Sequence, residues 1–191
     1  SSDAEGGMVT YAISDIATAR AAIIANINSY KANGSTPLSE TLYEAELYFA
    51  GGKVDYGLRS SIDNKTPYPS VAASRMPLDQ TLYKSPIQYS CQKNFVVYLT
   101  DGEPTSDTSA DSKIMALPNF ASLAGSATCD GTGDGHCLDD LAEYMFNADF
   151  SPNIPGKQNV ITYTIGFGPD VKGSVLLQKT ADRGGGHAYS A

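Results

Sequence analysis

Phe95-Val-Val-Tyr-Leu99 runs directly into Thr100-Asp-Gly102. Five consecutive apolar residues rich in β-formers, closed by a turn signal, predict a strand buried on both faces. Val160-Ile-Thr-Tyr-Thr-Ile-Gly-Phe167 repeats the pattern, and His187-Ala-Tyr-Ser-Ala191 reads as a shorter third strand. Between them, Leu138, Leu141, Ala142 and Met145 recur at helical spacing, and Val175 to Arg183 forms another helix ended by Gly184-Gly-Gly186. Strands alternating with helices predict parallel pairing through right-handed crossovers. The expected fold is therefore α/β, a mostly parallel sheet with helices on both faces. Ligands of such sheets bind beyond the carboxyl ends of the strands, where Asp101 lies.

Upstream, Ile13, Ile16, Ala17, Ile24 and Ile27 predict an amphipathic helix over residues 15–30, capped by Ser14 or Asp15. A second helix begins at Thr36-Pro37, carries Leu38, Leu42, Ala45 and Phe49 on one face, and stops at Gly51-Gly52. Thr36 stands at its start, where a hydroxyl ordinarily accepts a bond from a helix amide. Residues 51–92 hold tyrosines and prolines without sustained periodicity, an insertion far longer than the usual connection of about 4 to 6 residues. Such a segment is either a functional loop or a poorly ordered excursion.

The chain of 191 residues has the length of one domain, which buries roughly 70% of the surface its unfolded form exposes. Its 13 Lys and Arg against 21 Asp and Glu give a net charge of -8, a field that repels a phosphate backbone and makes nucleic acid an unsuitable partner. No apolar run reaches the roughly 20 residues of a membrane helix. Of the three cysteines, Cys129 and Cys137 bracket a short polar loop, which favours a local disulfide and an oxidising compartment, free thiols being the alternative. Cys91 has no evident partner. Zinc lacks a four-ligand set at the usual spacings. Within the loop, Asp130, Thr132 and Asp134 match the first half of a calcium loop, but Leu141 stands where the bidentate Glu belongs.

Gly34-Ser-Thr-Pro-Leu38, Thr41-Leu-Tyr-Glu-Ala45 and the strand ending Leu99-Thr-Asp-Gly-Glu-Pro104 together resemble the von Willebrand factor A fold, a three-layer, Rossmann-like α/β architecture. In that family the matching threonine and aspartate belong to a metal-ion-dependent adhesion site. The resemblance thus implies Thr36 and Asp101 as metal ligands, with Ser35 and Glu103 as accessory oxygens. The implied ion is Mg²⁺, with Ca²⁺ or Mn²⁺ as substitutes. Ser85-Pro-Ile87, Cys91-Gln-Lys-Asn-Phe95, Leu138-Asp-Asp-Leu-Ala142, Gln158-Asn-Val160 and Gly184-Gly-Gly186 are similar, in that order, to the PilY-type tip proteins of type IV pili. This implies an extracellular adhesion module at the cell surface or pilus tip, not an enzyme, whose partners are a protein ligand or surface receptor and the minor pilins.

The family's Asp-x-Ser-x-Ser motif is missing; Asp107-Thr-Ser-Ala-Asp-Ser112 follows no strand and reads as a solvated loop. Residues 8–13 match the family's third strand, so the resemblance places the first two strands ahead of Ser1 and a last helix after Ala191. Two rivals remain. A structural scaffold of the pilus tip would use Tyr56, Tyr68, Tyr83 and Tyr89 for packing on a neighbouring pilin or on the rest of their own chain. A haloacid dehalogenase-like phosphatase would use Asp101, Glu103 and Thr105, although Glu is one methylene too long for the general acid. Serine or cysteine hydrolysis lacks a nucleophile near His136 or His187.

Overall fold

The structure, a computed structural model, describes residues 6–30, 34–58 and 70–191. Three strands, β1 (Asn94–Thr100), β2 (Val160–Gly166) and β3 (Gly185–Ser190), pair in parallel in the order β1-β2-β3. β1 and β2 run in unbroken register from Asn94 opposite Val160 to Thr100 opposite Gly166. The helices are α1 (Ile16–Asn28), α2 (Leu38–Ala50), α3 (Asp111–Met115), α4 (Phe120–Leu123), α5 (Leu138–Asn147) and α6 (Val175–Arg183). The chain is therefore α/β with a parallel sheet, and these three strands fall within a few residues of their sequence-based positions.

The core lies on one side of that sheet. Tyr98, Val160, Thr162 and Thr164 turn inward, where α5 and α6 cover β2 and β3 and α2 packs on α5. Leu42, Leu138, Leu141 and Met145 are fully enclosed there. Dense packing sets the passage from α6 into β3. A Cβ at Gly184 would meet Thr180 O at 2.8 Å, and one at Gly186 would collide with Thr162 O, so glycine lets the chain double back onto β2.

The other face departs from the expected three layers. Phe95, Val97 and Leu99 are 50%, 54% and 60% exposed, and Phe167 and Tyr189 on the same side are exposed too. Phe95, Tyr163 and His187 form an aromatic row across the three strands, with successive centroids 6.2 Å apart. Among the described residues no helix covers this face, and β1, expected to be buried on both sides, alternates between buried and exposed. Its apolar run records what both faces would tolerate, not what covers them.

Three other expectations are corrected. Residues 8–13 form no strand, because their groups are engaged elsewhere: Val9 N–H donates to Ser70 Oγ, Val9 O accepts from Val71 and Ile13 N–H donates to Tyr48 Oη. The first helix forms, with Asp15 as its cap, but its apolar face is not packed; Ile16, Ile24 and Ile27 are exposed and only Ala19 is buried. Asp107 and its neighbours are not a solvated loop, since Asp107, Ala110 and Ile114 are 0% exposed.

Residues 51–58 and 70–92 wrap the carboxyl-terminal half of α2 through two 3-10 turns and the bridges Lys53–Leu82 and Arg75–Tyr83. Tyr56 and Tyr83 are buried there as core residues, so of the two packing roles expected of them they take the one within their own chain and not the one on a neighbour. Tyr89 is exposed, and Tyr68 lies outside the described residues.

Candidate functional site

At the carboxyl end of β1 the chain breaks from the sheet. Thr100 Oγ1 donates to Gly102 O at 2.7 Å and accepts from Gly102 N–H, which fixes the turn around Asp101. The neighbouring strand's exit joins it where Phe167 N–H donates to Thr100 O.

Facing this turn is the segment before α2. Thr36 N–H donates to Thr105 Oγ1 at 2.9 Å, and Thr105 N–H donates back to Thr36 O at 3.2 Å. This reciprocal pair joins two segments far apart in sequence. A Cβ on Gly102 would sit 3.7 Å from Thr36 Oγ1, an ordinary contact distance that places the threonine hydroxyl beside the turn. Thr36 and Asp101, named from sequence, are thus brought to one locus, with Ser35 and Glu103 on the same two segments.

Thr36 does not cap α2, and among the described residues its hydroxyl has no hydrogen-bond partner. The amides of Ser39 and Glu40 donate instead to Asp107 Oδ2 and Oδ1, at 2.8 and 3.3 Å. A buried carboxylate at a helix N-terminus satisfies orphan donors and meets the positive end of the dipole. Burial still raises the Asp107 pKa, the two amides pulling against it. Among the described residues the side chains of Asp101 and Glu103 have no hydrogen-bond or ion-pair partner, and both are exposed. The locus therefore offers a hydroxyl and two carboxylates, all hard oxygen donors suited to Mg²⁺. They account for part of an octahedral shell, and water and a ligand's own carboxylate would supply the rest.

The polar loop is otherwise engaged. Cys129 and Cys137 form the disulfide, which leaves neither thiolate for a metal; Cys91 is exposed and unpaired. Asp130 pairs with Arg183 at 3.2 Å, whereas Asp134 Oδ1 accepts from Asp107 N–H at 2.8 Å. Two of the three calcium-loop residues therefore already have separate protein partners. Asp130, Asp139 and Asp140 do bring oxygens together, but the Arg183 guanidinium is among them. It reaches Asp139 and Asp140 at 2.7 Å each and Glu143 at 2.6 Å.

Sequence reading missed Asp107. Its only sequence signal was an acidic residue in a Ser/Thr-rich loop, and the helix it caps lies nearly seventy residues upstream. It also missed the acidic side of α2. Glu44 accepts from the amides of Asp55, Tyr56 and Gly57 and from Tyr83 Oη, while Glu46 is buried beside it with Oε2 unbonded.

No protein-family model, curated protein or solved structure gives a match to this chain. Among the described residues, no helix is long and apolar enough to cross a membrane.

Proposed function

We propose that the chain is a metal-dependent binding module of the von Willebrand factor A type, acting outside the cell as part of a type IV pilus tip adhesin. The observation that carries this reading is the reciprocal Thr36–Thr105 pair, which holds the unengaged Thr36 hydroxyl against the Asp101 turn at the carboxyl end of a parallel strand. Mg²⁺ would be held by Thr36 and Asp101, with Glu103 or Ser35 accessory. A protein ligand, a surface receptor or a minor pilin would complete the shell with a carboxylate. The Cys129–Cys137 disulfide is in keeping with an exported protein. The unengaged Asp101 and Glu103 are read as binding groups and not as catalysts.

Calorimetric titration with Mg²⁺ and Mn²⁺ tests the site. The reading expects saturable binding that Asp101→Ala abolishes and Thr36→Ala weakens at least tenfold. Binding that survives both substitutions, or its absence from the unaltered protein, would remove the metal from the proposal. A scaffold role is the second reading, favoured by the uncovered sheet face carrying Phe95, Val97 and Leu99. It predicts attachment that Asp101→Ala leaves intact.

A further inference from the structure

The spacing of Cys129, His136 and Cys137 leaves zinc short of a fourth ligand, and the fold brings one from an earlier segment. Asp111, the first residue of α3, lies against the end of the disulfide loop. One of its carboxylate oxygens, a ring nitrogen of His136 and the Cys137 sulfur fall within 4.8 Å of one another. Cys129 is bonded to Cys137 and so brings the second sulfur to the same point. A tetrahedral zinc shell sets its ligand atoms about 3.3 to 3.8 Å apart, a small adjustment from this grouping.

The surroundings suit a cation. Asp111 Oδ1 is buried without a hydrogen-bond partner among the described residues, and Oδ2 lies 3.5 Å from His136 Nδ1. No Lys or Arg pairs with Asp111 among those residues, unlike the group of Asp130, Asp139 and Asp140, where Arg183 already sits. Burial raises the Asp111 pKa, His136 opposes the rise, and Asp107 and Asp134 add to it, so a bound cation would relieve the carboxylate. His136 Nδ1 is also 2.7 Å from Gly133 O. A carbonyl only accepts, so Nδ1 carries the hydrogen and Nε2 holds the lone pair, as in most metal-bound imidazoles.

We propose that Asp111, Cys129, His136 and Cys137 form a redox-gated Zn²⁺ site: the dithiol form of the loop binds zinc, and closure of the disulfide expels it. Opening takes two electrons from a dithiol reductant. One of its thiolates attacks the Cys129 sulfur, which is partly exposed where Cys137 is buried, and Cys137 leaves as the thiolate at the start of α5. The reductant's second thiol then displaces Cys129, so the reductant ends as a disulfide and the protein as two thiols. Zinc takes both sulfurs as thiolates and releases their two protons. This soft, sulfur-bearing site is separate from the oxygen locus at Thr36 and Asp101 and does not depend on the function proposed for it.

The test uses the full chain carrying Cys91→Ser, which removes the third thiol, reduced with a phosphine and freed of it under nitrogen. Co²⁺ should produce the ultraviolet sulfur-to-cobalt band and the visible absorption of a tetrahedral thiolate site, and Zn²⁺ should bleach both at one equivalent. Re-forming the disulfide should release the zinc to a chromophoric chelator. Asp111→Asn and His136→Gln should each weaken zinc binding at least tenfold. Far-ultraviolet circular dichroism follows the fold throughout, and a reduced chain that has unfolded should refold on adding zinc. The proposal is overturned if Co²⁺ gives no thiolate band, or if zinc neither binds nor refolds the reduced chain. It is equally overturned if both substitutions leave the affinity unchanged, which would mean that two thiols catch the metal alone, or if the oxidised chain binds zinc as tightly as the reduced one.

Discussion

Glu46 is the residue whose surroundings depart most from its chemistry. It is 2% exposed on α2, has Oε2 without a donor, and sits beside the carboxylate of Glu44 and the rings of Tyr43 and Tyr144. Burial, reinforced by Glu44, pushes its pKa up to about 8. The unfolded chain titrates near 4.5, so between that value and about 8 the folded state holds a proton that the unfolded state has released. Stability must then fall as pH rises through this window. Glu46→Gln removes the ionisation while keeping the shape. It should raise stability at pH 8 by roughly 1 to 3 kcal/mol and flatten the decline between pH 5 and 8. Urea melts at three pH values check this, and an unchanged slope in the variant would show that Glu46 is not the titrating group.

Between elements, the decisive contact is Arg183 at the end of α6. Its guanidinium bonds Asp139, Asp140 and Glu143 of α5, Asp130 beside the disulfide, and the carbonyl of Ala124 after α4. Asp140 is fully buried, and burial raises its pKa despite the Asp130 amide and Arg183. Arg183→Ala would leave two buried carboxylates facing each other and should cost about 3 kcal/mol or more. Arg183→Lys cannot reproduce the planar fork and should recover only part of that. Thermal melts of both variants decide the point, and a wild-type midpoint for Arg183→Ala would mean that the carboxylates find other partners. β1 to β3 and the helices α1, α2, α5 and α6 were readable from sequence, because apolar runs, helical spacing and glycine stops are local signals, whereas the short α3 and α4 were not read. What remained hidden was non-local: that Asp107 caps α2, that Arg183 gathers four acids, and that Tyr56 and Tyr83 of an aperiodic stretch are core. Thr36 and Asp101 could be named because each borders an element whose end is visible in the sequence. Their junction through Thr105 could not, since it depends on how the two segments meet.

Across the whole molecule, the disulfide loop and the candidate site belong to one chain of contacts. Cys137 is fully buried at the start of α5, and the loop it closes with Cys129 carries Asp134 and Gly135. Asp134 accepts from Asp107 N–H, Gly135 N–H donates to Asp107 O, and Asp107 in turn caps α2 just beyond Thr36. The disulfide should thus order the entrance to α2 although it lies in another part of the sequence. Reduction restores freedom to a short loop and should cost about 2 to 3 kcal/mol by loop-closure entropy. Its effect should also be localised. In the reduced protein, or in Cys129→Ser with Cys137→Ser, amide exchange at Ser39 and Glu40 should accelerate more than exchange in the β1–β2 ladder, because their acceptor is held by the loosened loop. If the proposed Mg²⁺ site at Thr36 and Asp101 binds metal, its affinity should fall with it. If global stability drops while Ser39 and Glu40 keep their protection relative to the ladder, the loop and the site are independent, and the coupling through Asp107 is refuted.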